Sequence, residues 1–363
     1  MVEITKAALA DGREIIYFDD TPHTDRVLED SRDLPQVTPA SEMRRDPLTG
    51  DWVAFAAHRM NRTFMPPANE NPLAPTLPGQ LPTEIPSPSY DVVVFENRFP
   101  SFAMGMEDYE EDVDEMGLVP RKPAKARCEV VCFTSDPESS FKDLPVSRIR
   151  TVIEAWAHRT SALSALPEVA QVFPFENRGA EIGVTLQHPH GQIYSYPFLS
   201  PRMKAIVASS QAYEGDLFQD ILDKERAAGT RIIAETEHFT VFVPAAAKWP
   251  LEAMVMPNEY AADFTELSSA QRDDLAALLK KLYTAVDRFF DGVEKTPYIA
   301  GWNLAPTDPT LRGDVRMHLQ LFSLMRSPNR MKYLAGSESA QAVWINDTTP
   351  ERIADRFKEV WDA

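Results

Sequence analysis

A five-residue pattern occurs twice in this chain, as His190-Gly191-Gln192-Ile193-Tyr194 and as His318-Leu319-Gln320-Leu321-Phe322, both reading His-x-Gln-apolar-aromatic. Each closes a similar series of segments. In the first, apolar runs around Val92 to Phe95 and Val130 to Phe133 precede a stretch in which Ile149, Val152, Ile153, Trp156, Thr160 and Leu163 recur at helical spacing. In the second, Phe239 to Val243 and Ala253 to Met256 precede Leu275, Leu278, Leu279, Leu282, Val286 and Phe289, introduced by Ser268 and Gln271 as a capping-box pair. The order strand, strand, helix, strand in both halves predicts a tandem duplication of an α+β unit, each with an antiparallel sheet and a packed helix. One-sided apolarity is what packing requires, so both helices are read as core elements.

Residues 1–40 are polar and mixed, with one short strand from Gly12 to Phe18, and are expected to form an amino-terminal arm. The first unit then spans 41–200 and the second 201–363. Prolines between Pro66 and Pro88 withhold the backbone donors that helix or central strand needs, which predicts an extended loop over the body. The acidic run from Glu107 to Glu115 is expected to be an exposed loop.

At 363 residues and 44% hydrophobic, the chain can bury one large or two moderate cores. A formal charge of −18 argues against a nucleic-acid partner, so anionic ligands must be met by local cations. The two cysteines, Cys128 and Cys132, offer no disulfide framework and are expected to be buried small hydrophobes. The amino terminus lacks the apolar core of a signal peptide, and no run approaches the ~18 apolar residues of a membrane span. The expected location is cytoplasmic.

The chemistry concentrates in Gln187-His188-Pro189-His190-Gly191-Gln192, which holds two of the seven histidines. A side-chain period of two puts His188, His190 and Gln192 on one face of a strand, and Gly191 is expected to let a phosphate approach the backbone. A neutral imidazole is nucleophilic at pH 7 without a separate base, and its phosphoramidate can hand a nucleotidyl group onward. Pro189 and Gly191 exclude the helical two-histidine pair of zinc proteases. A two-histidine metal clip would need ligands from elsewhere in the chain.

With its neighbours, this string resembles the active-site signature of the galactose-1-phosphate uridylyltransferase family, a branch of the histidine-triad superfamily. Arg44 to Val53 with His58-Arg59-Met60-Asn61-Arg62 resembles the family's amino-terminal signature. Val94 to Asn97 and Phe175 to Ala180 resemble its uridine-side segments, and Met331 to Glu338 its sugar-phosphate segment. The resemblance implies two tandem histidine-triad-like units. It also implies transfer of UMP from UDP-glucose to galactose 1-phosphate through a uridylyl-histidine, and a homodimer. It casts His190 as nucleophile, Gln192 as donor to the phosphoryl oxygens, and His188 as a metal ligand in the family that here would orient the strand. Arg59 and Arg62 would contact phosphate and nucleotide, while Phe95, Asn97 and Asn177 would hold uracil and ribose. Gly183 and Thr185 would wrap the phosphates, and Lys332, Ala335 and Glu338 would take the sugar 1-phosphate.

The chain also departs from the family. Where members carry the Cys-x-x-Cys pair of a structural zinc, it reads Asn71-Pro72-Leu73-Ala74, and Pro137 stands near the expected histidine. The second metal site of some members maps to Ile206, Asn303, His318 and Gln320. Too few N, S or O donors remain, so neither zinc nor iron is expected. Competing readings are a related nucleotidyltransferase or phosphorylase acting on an ADP-sugar or another sugar 1-phosphate, and an inactive nucleotide-sugar-binding protein.

Overall fold

The computed structural model describes residues 2–36, 39–61, 66–67, 70–113, 115 and 117–362. Its first half runs β1 (Glu3–Ala8), β2 (Glu14–Asp19), β3 (Glu42–Arg45), β4 (Trp52–Phe55), β5 (Val92–Glu96), β6 (Glu111–Asp112), β7 (Pro120–Pro123), β8 (Cys128–Cys132), α1 (Val146–Ser164), β9 (Gln171–Arg178) and β10 (His190–Tyr196). The second runs α2 (Pro201–Ala212), α3 (Leu217–Ala228), β11 (Ile232–Glu235), β12 (Phe239–Phe242), β13 (Leu251–Pro257), α4 (Ser269–Arg288), β14 (Tyr298–Asn303), β15 (His318–Ser323), β16 (Met325–Ser327), β17 (Arg330–Met331), α5 (Gly336–Gln341) and α6 (Pro350–Trp361).

The α+β class is as expected, but the two units share one sheet. Eleven strands pair in the order β1-β2-β5-β8-β10-β9-β14-β15-β13-β12-β11, every pair antiparallel, and the halves join where β9 meets β14. The repeat is visible in the register. Cys132 lies opposite His190, and the pairing of Val255 with Leu319 sets Met256 opposite His318.

One face of the sheet carries α1 and α4, whose apolar stripes supply Ile149, Val152, Ile153, Trp156, Leu275, Leu279, Leu282 and Val286 to a single core. Burying each such side chain contributes roughly 1.5–3 kcal/mol. Ser268 accepts from the Gln271 backbone and the Gln271 side chain returns the bond, so α4 starts at the expected capping box.

The expected amino-terminal arm is divided. Its first part, β1 and β2, is a hairpin that extends the sheet beyond β5, and Ile15, Ile16, Tyr17 and Phe18 are buried. A run of β-branched and aromatic residues suits a strand covered on both faces. The remainder is tied over the loop at 72–90, where Arg26 Nη1 donates to the Ser89 carbonyl at 2.6 Å and Arg32 Nη1 sits 2.8 Å from Glu84. That proline-rich loop buries Leu73, Ile85 and Tyr90 against β2 and β5. The acidic run is only partly loop: Glu111 and Asp112 pair with β7, and Glu111 and Asp108 are neutralised by Arg121 and Lys125, each at 2.6 Å.

The other face of the sheet differs between halves. Over β12, β13 and β15 it is covered by α2 and α3, through Met203, Val207, Phe218 and Leu222 packed on Phe242 and Met256. Over β5, β8, β9 and β10 it opens into a cavity.

Candidate active site

The cavity has a volume of about 420 Å³, within the usual range for small-molecule sites. Its floor follows from the period-two geometry of four adjacent strands. β10 contributes His190, Gln192 and Tyr194; β8 gives Val130; β5 gives Phe95; β9 gives Phe175 and, at its end, Asn177. Two loops complete it. Asn97, Arg98 and Phe99 follow β5, and Gly183 to Leu186 precede β10. Gly183 adopts φ +81°, a left-handed conformation that closes a 3-10 turn and that other residues take at a cost.

His190 is half-buried on the cavity floor, and its Nδ1 lies 2.7 Å from the His188 carbonyl oxygen. A carbonyl can only accept, so Nδ1 carries the proton and Nε2 keeps its lone pair. Burial holds the imidazole below its ordinary pKa of 6.5, against the opposing pull of that carbonyl, so the ring is neutral at pH 7. Arg59 donates through Nη1 to the Phe99 carbonyl at 2.7 Å and reaches the Tyr194 hydroxyl at 3.4 Å. The Asn97 Oδ1 accepts from the Phe99 backbone at 2.8 Å, which leaves its amide protons for a ligand. Arg59 and Arg98 are the cations among the lining residues, with the Glu84 carboxylate 3.6 Å from Arg98.

Eight of the sequence-derived site residues therefore converge: Arg59, Phe95, Asn97, Asn177, Gly183, Thr185, His190 and Gln192. Arg62 lies outside the described residues. His188 does not share the cavity face as expected. It precedes the first residue of β10 and is buried behind it, beside a second cavity that also touches His190. Gly191 has a different reason from the one expected. Its side faces the core, where a Cβ would come within 2.7 Å of Phe133 and 2.9 Å of the Phe175 carbonyl, so glycine is required for packing rather than for phosphate approach.

Lys332, Ala335 and Glu338 are not in the cavity of this chain. They follow β17 in the second half, and the Lys332 ammonium turns inward to the Ile345 carbonyl, to the Lys248 carbonyl at 3.4 Å and to Glu338 at 3.6 Å. Four strand spacings separate β10 from β13, the strand next to Lys248, or about 19 Å. Lining residues missed by the sequence reading include Tyr194, Val130, Glu84 and Arg98. Two had a signal: Tyr194 is two residues on from Gln192, and Arg98 follows Asn97.

The residues at the two family metal positions do not fit a metal. Around His188 both ring nitrogens are engaged by protein groups, with the Asn71 amide 2.9 Å from Nδ1 and the Thr134 carbonyl 2.7 Å from Nε2. At the second position the His318 Nδ1 donates to the Arg316 carbonyl at 2.9 Å, and the cationic Arg202 reaches Asn303 at 3.3 Å. The Gln320 amide donates to Glu252 at 2.6 Å. A guanidinium beside the donors repels a cation.

Comparison with known proteins places the whole chain. The description "Galactose-1-phosphate uridyl transferase, N-terminal domain" matches residues 32–200, and its C-terminal counterpart matches residues 203–363. A galactose-1-phosphate uridylyltransferase of Streptomyces lividans is 42% identical over 370 residues, covering 99% of this chain and 98% of that one. A solved uridylyltransferase structure is similar at a TM-score of 0.77 and 29% identity, covering 88% of this chain and 98% of that one. An ADP-glucose phosphorylase from Arabidopsis thaliana reaches a TM-score of 0.67 at 20% identity, covering 89% of this chain and 100% of that one; at that identity the likeness is one of fold alone.

Proposed function

Because the chain belongs to the galactose-1-phosphate uridylyltransferase family, we propose that His190 is the residue on which it carries UMP between its two substrates. The enzyme transfers UMP from UDP-glucose to galactose 1-phosphate by a ping-pong route, giving UDP-galactose and glucose 1-phosphate. In the first half-reaction the Nε2 lone pair of His190 attacks the α-phosphorus. The N–P bond forms, the bond from that phosphorus to the bridging oxygen breaks, and glucose 1-phosphate leaves with the electron pair. In the second, a phosphate oxygen of galactose 1-phosphate attacks the same phosphorus and the N–P bond breaks. The proton on Nδ1 stays where it is throughout, and the His188 carbonyl offsets the positive charge that the uridylylated ring acquires.

The observation that carries this reading is the Nδ1 link itself, which leaves only Nε2 available on a ring that lines the cavity. Gln192 donates to the phosphoryl oxygens as charge develops. Arg59 neutralises phosphate, and Arg62 is assigned the same role. Phe95 with Asn97 and Asn177 holds the uracil and ribose, and the Gly183 to Thr185 loop wraps the phosphates. No step needs a metal, and none is included.

A homodimer belongs to this reading, with Lys332, Ala335 and Glu338 of one copy completing the cavity of the other. Exposed apolar side chains support it: Leu48 and Met60, 93% and 89% exposed, the latter next to the lining residue Arg59, and Tyr333, 75% exposed, within the sugar-phosphate segment. We place the enzyme in the cytoplasm, in keeping with its two buried free cysteines. Among the described residues no helix is long and apolar enough to cross a membrane. Incubation with UDP-glucose alone, followed by digestion and mass spectrometry, is expected to find UMP on the fragment bearing His190. An unmodified fragment after proven release of glucose 1-phosphate would refute the assignment.

A further inference from the structure

We propose that Tyr90 and Asn71 are positioning residues for the nucleophile, forming with His188 and the Thr134 carbonyl a hydrogen-bonded anchor that stands where relatives use a metal. The proposal deepens the His190 reading and rests on it.

The proton positions can be assigned one by one. The Asn71 Oδ1 accepts from the Leu73 backbone at 3.0 Å, which fixes the amide so that Nδ2 faces His188 Nδ1 at 2.9 Å. That nitrogen therefore accepts, and the ring proton sits on Nε2. From there it points to the Thr134 carbonyl at 2.7 Å and the Tyr90 hydroxyl oxygen at 2.9 Å. The Tyr90 hydroxyl directs its own proton to the Leu73 carbonyl at 2.9 Å or the Thr134 carbonyl at 2.8 Å. Tyr90 is 2% exposed, so its ring cannot swing away from these partners without opening the core beside β2 and β5. Both ring nitrogens of His188 are satisfied, and the same residue's carbonyl then receives His190 Nδ1–H. The chain of contacts runs from the proline-rich loop to the nucleophile in two residues.

The repeat supplies an independent comparison. In the second half the residue two before the histidine is Arg316, buried at 2% exposure, and its backbone carbonyl accepts from His318 Nδ1 at 2.9 Å. The Arg316 side chain donates to the Asn258 carbonyl at 3.3 Å. By register Asn258 stands two residues beyond Met256, as Thr134 stands two beyond Cys132. The same carbonyl therefore anchors the same position in both halves, once through an imidazole and once through a guanidinium. Neither set of partners fits a metal ion; protein groups hold the turn in both halves, and in the second the Arg316 guanidinium also pairs with the Asp216 carboxylate at 3.2 Å.

The test is rapid-quench measurement of uridylylation by UDP-glucose in the wild type, Tyr90→Phe, Asn71→Leu, His188→Gln and His188→Leu. Tyr90→Phe and Asn71→Leu are expected to reach the wild-type amount of His190 adduct about 10- to 100-fold more slowly, the effect of misplacing a reacting group by about an ångström. Their KM for UDP-glucose is expected to stay within about twofold, because neither residue lines the cavity. His188→Gln, which keeps a donor toward Thr134, is expected to retain more rate than His188→Leu. Wild-type rates in both Tyr90→Phe and Asn71→Leu would overturn the proposal. If either fails to fold, equal rates for the two His188 variants would overturn it. Nitrogen-15 NMR of the wild type is expected to place the His188 proton on Nε2; a proton on Nδ1 alone would overturn the assignment. Dialysis against EDTA is expected to leave the rate unchanged, and a loss that zinc restores would also sink it. Absence of any adduct on wild-type His190 would refute the nucleophile instead, so the two failures are distinguishable.

Discussion

At the scale of single residues, burial decides protonation. The lowered pKa of His190 means that protonation removes its lone pair only under acid conditions. Uridylylation by UDP-glucose is expected to hold its rate from mildly alkaline pH down through pH 6.5 and to fall only below it; a decline beginning above that pH would contradict a neutral, buried nucleophile. Glu176 shows the opposite sign. It is 6% exposed beneath the sheet, accepts from the Tyr298 hydroxyl at 2.8 Å through Oε1, and burial pushes it from its ordinary 4.5 up to about 7. Its folded value exceeds its unfolded one, so the stability it gives is full below pH 4.5 and is lost as pH rises through 7. Glu176→Gln is expected to melt at least about 2 °C above the wild type at pH 8, with the gap narrowing at pH 5. A gap independent of pH would show that ionisation is not the cause.

At the scale of elements, β10 joins packing to chemistry by alternation. His190, Gln192 and Tyr194 face the cavity, while Gly191, Ile193 and Ser195 face the helices and are fully buried. Gly191→Ala puts a Cβ against Phe133 and the Phe175 carbonyl, so the strand must shift. The expected result is a loss of about 1–3 kcal/mol of stability and a fall of at least about tenfold in kcat, because His190 moves with the strand. A variant of native activity would show that the clash is relieved without moving β10. Much at this scale was legible in the sequence. The helical spacing from Ile149 to Leu163 and from Leu275 to Val286 located α1 and α4, and Ser268 with Gln271 marked where α4 begins. The strand from Gly12 to Phe18 was legible too and became β2, but β1 and its pairing were not, because mixed polar residues around one apolar run look the same whether or not a neighbouring strand covers that run.

At the scale of the whole molecule, the shared sheet separates the sugar-phosphate segment from the cavity within one chain. If two copies complete each other's sites, a His190→Gly chain and an Ala335→Trp chain should complement one another. Ala335 is exposed, so the larger side chain can be accommodated without disturbing the core. Each variant alone is expected to be nearly inactive, and their co-expressed mixture to recover about a quarter of wild-type turnover, since half of randomly paired dimers hold one intact site of two. No recovery, with mixed dimers demonstrated, would place the whole site within a single copy.

By itself the sequence located the repeated unit and the two core helices, through spacing along one strand or helix, and through its resemblance to the family's segments it picked out eight residues that line one cavity, His190 among them. Only the tertiary structure decided which copy of the unit has an open face. His318 occupies the place of His190, yet it is 3% exposed and lies 5.7 Å from Phe218 of α3, which with α2 covers that end of the sheet. It also set Lys332 outside the cavity of its own chain, with its ammonium 3.6 Å from Glu338, and brought Tyr90 and Asn71, 98 and 117 residues distant, to His188. Contacts between segments so far apart depend on how the sheet closes and which loop crosses it, and no local period along the chain carries that information.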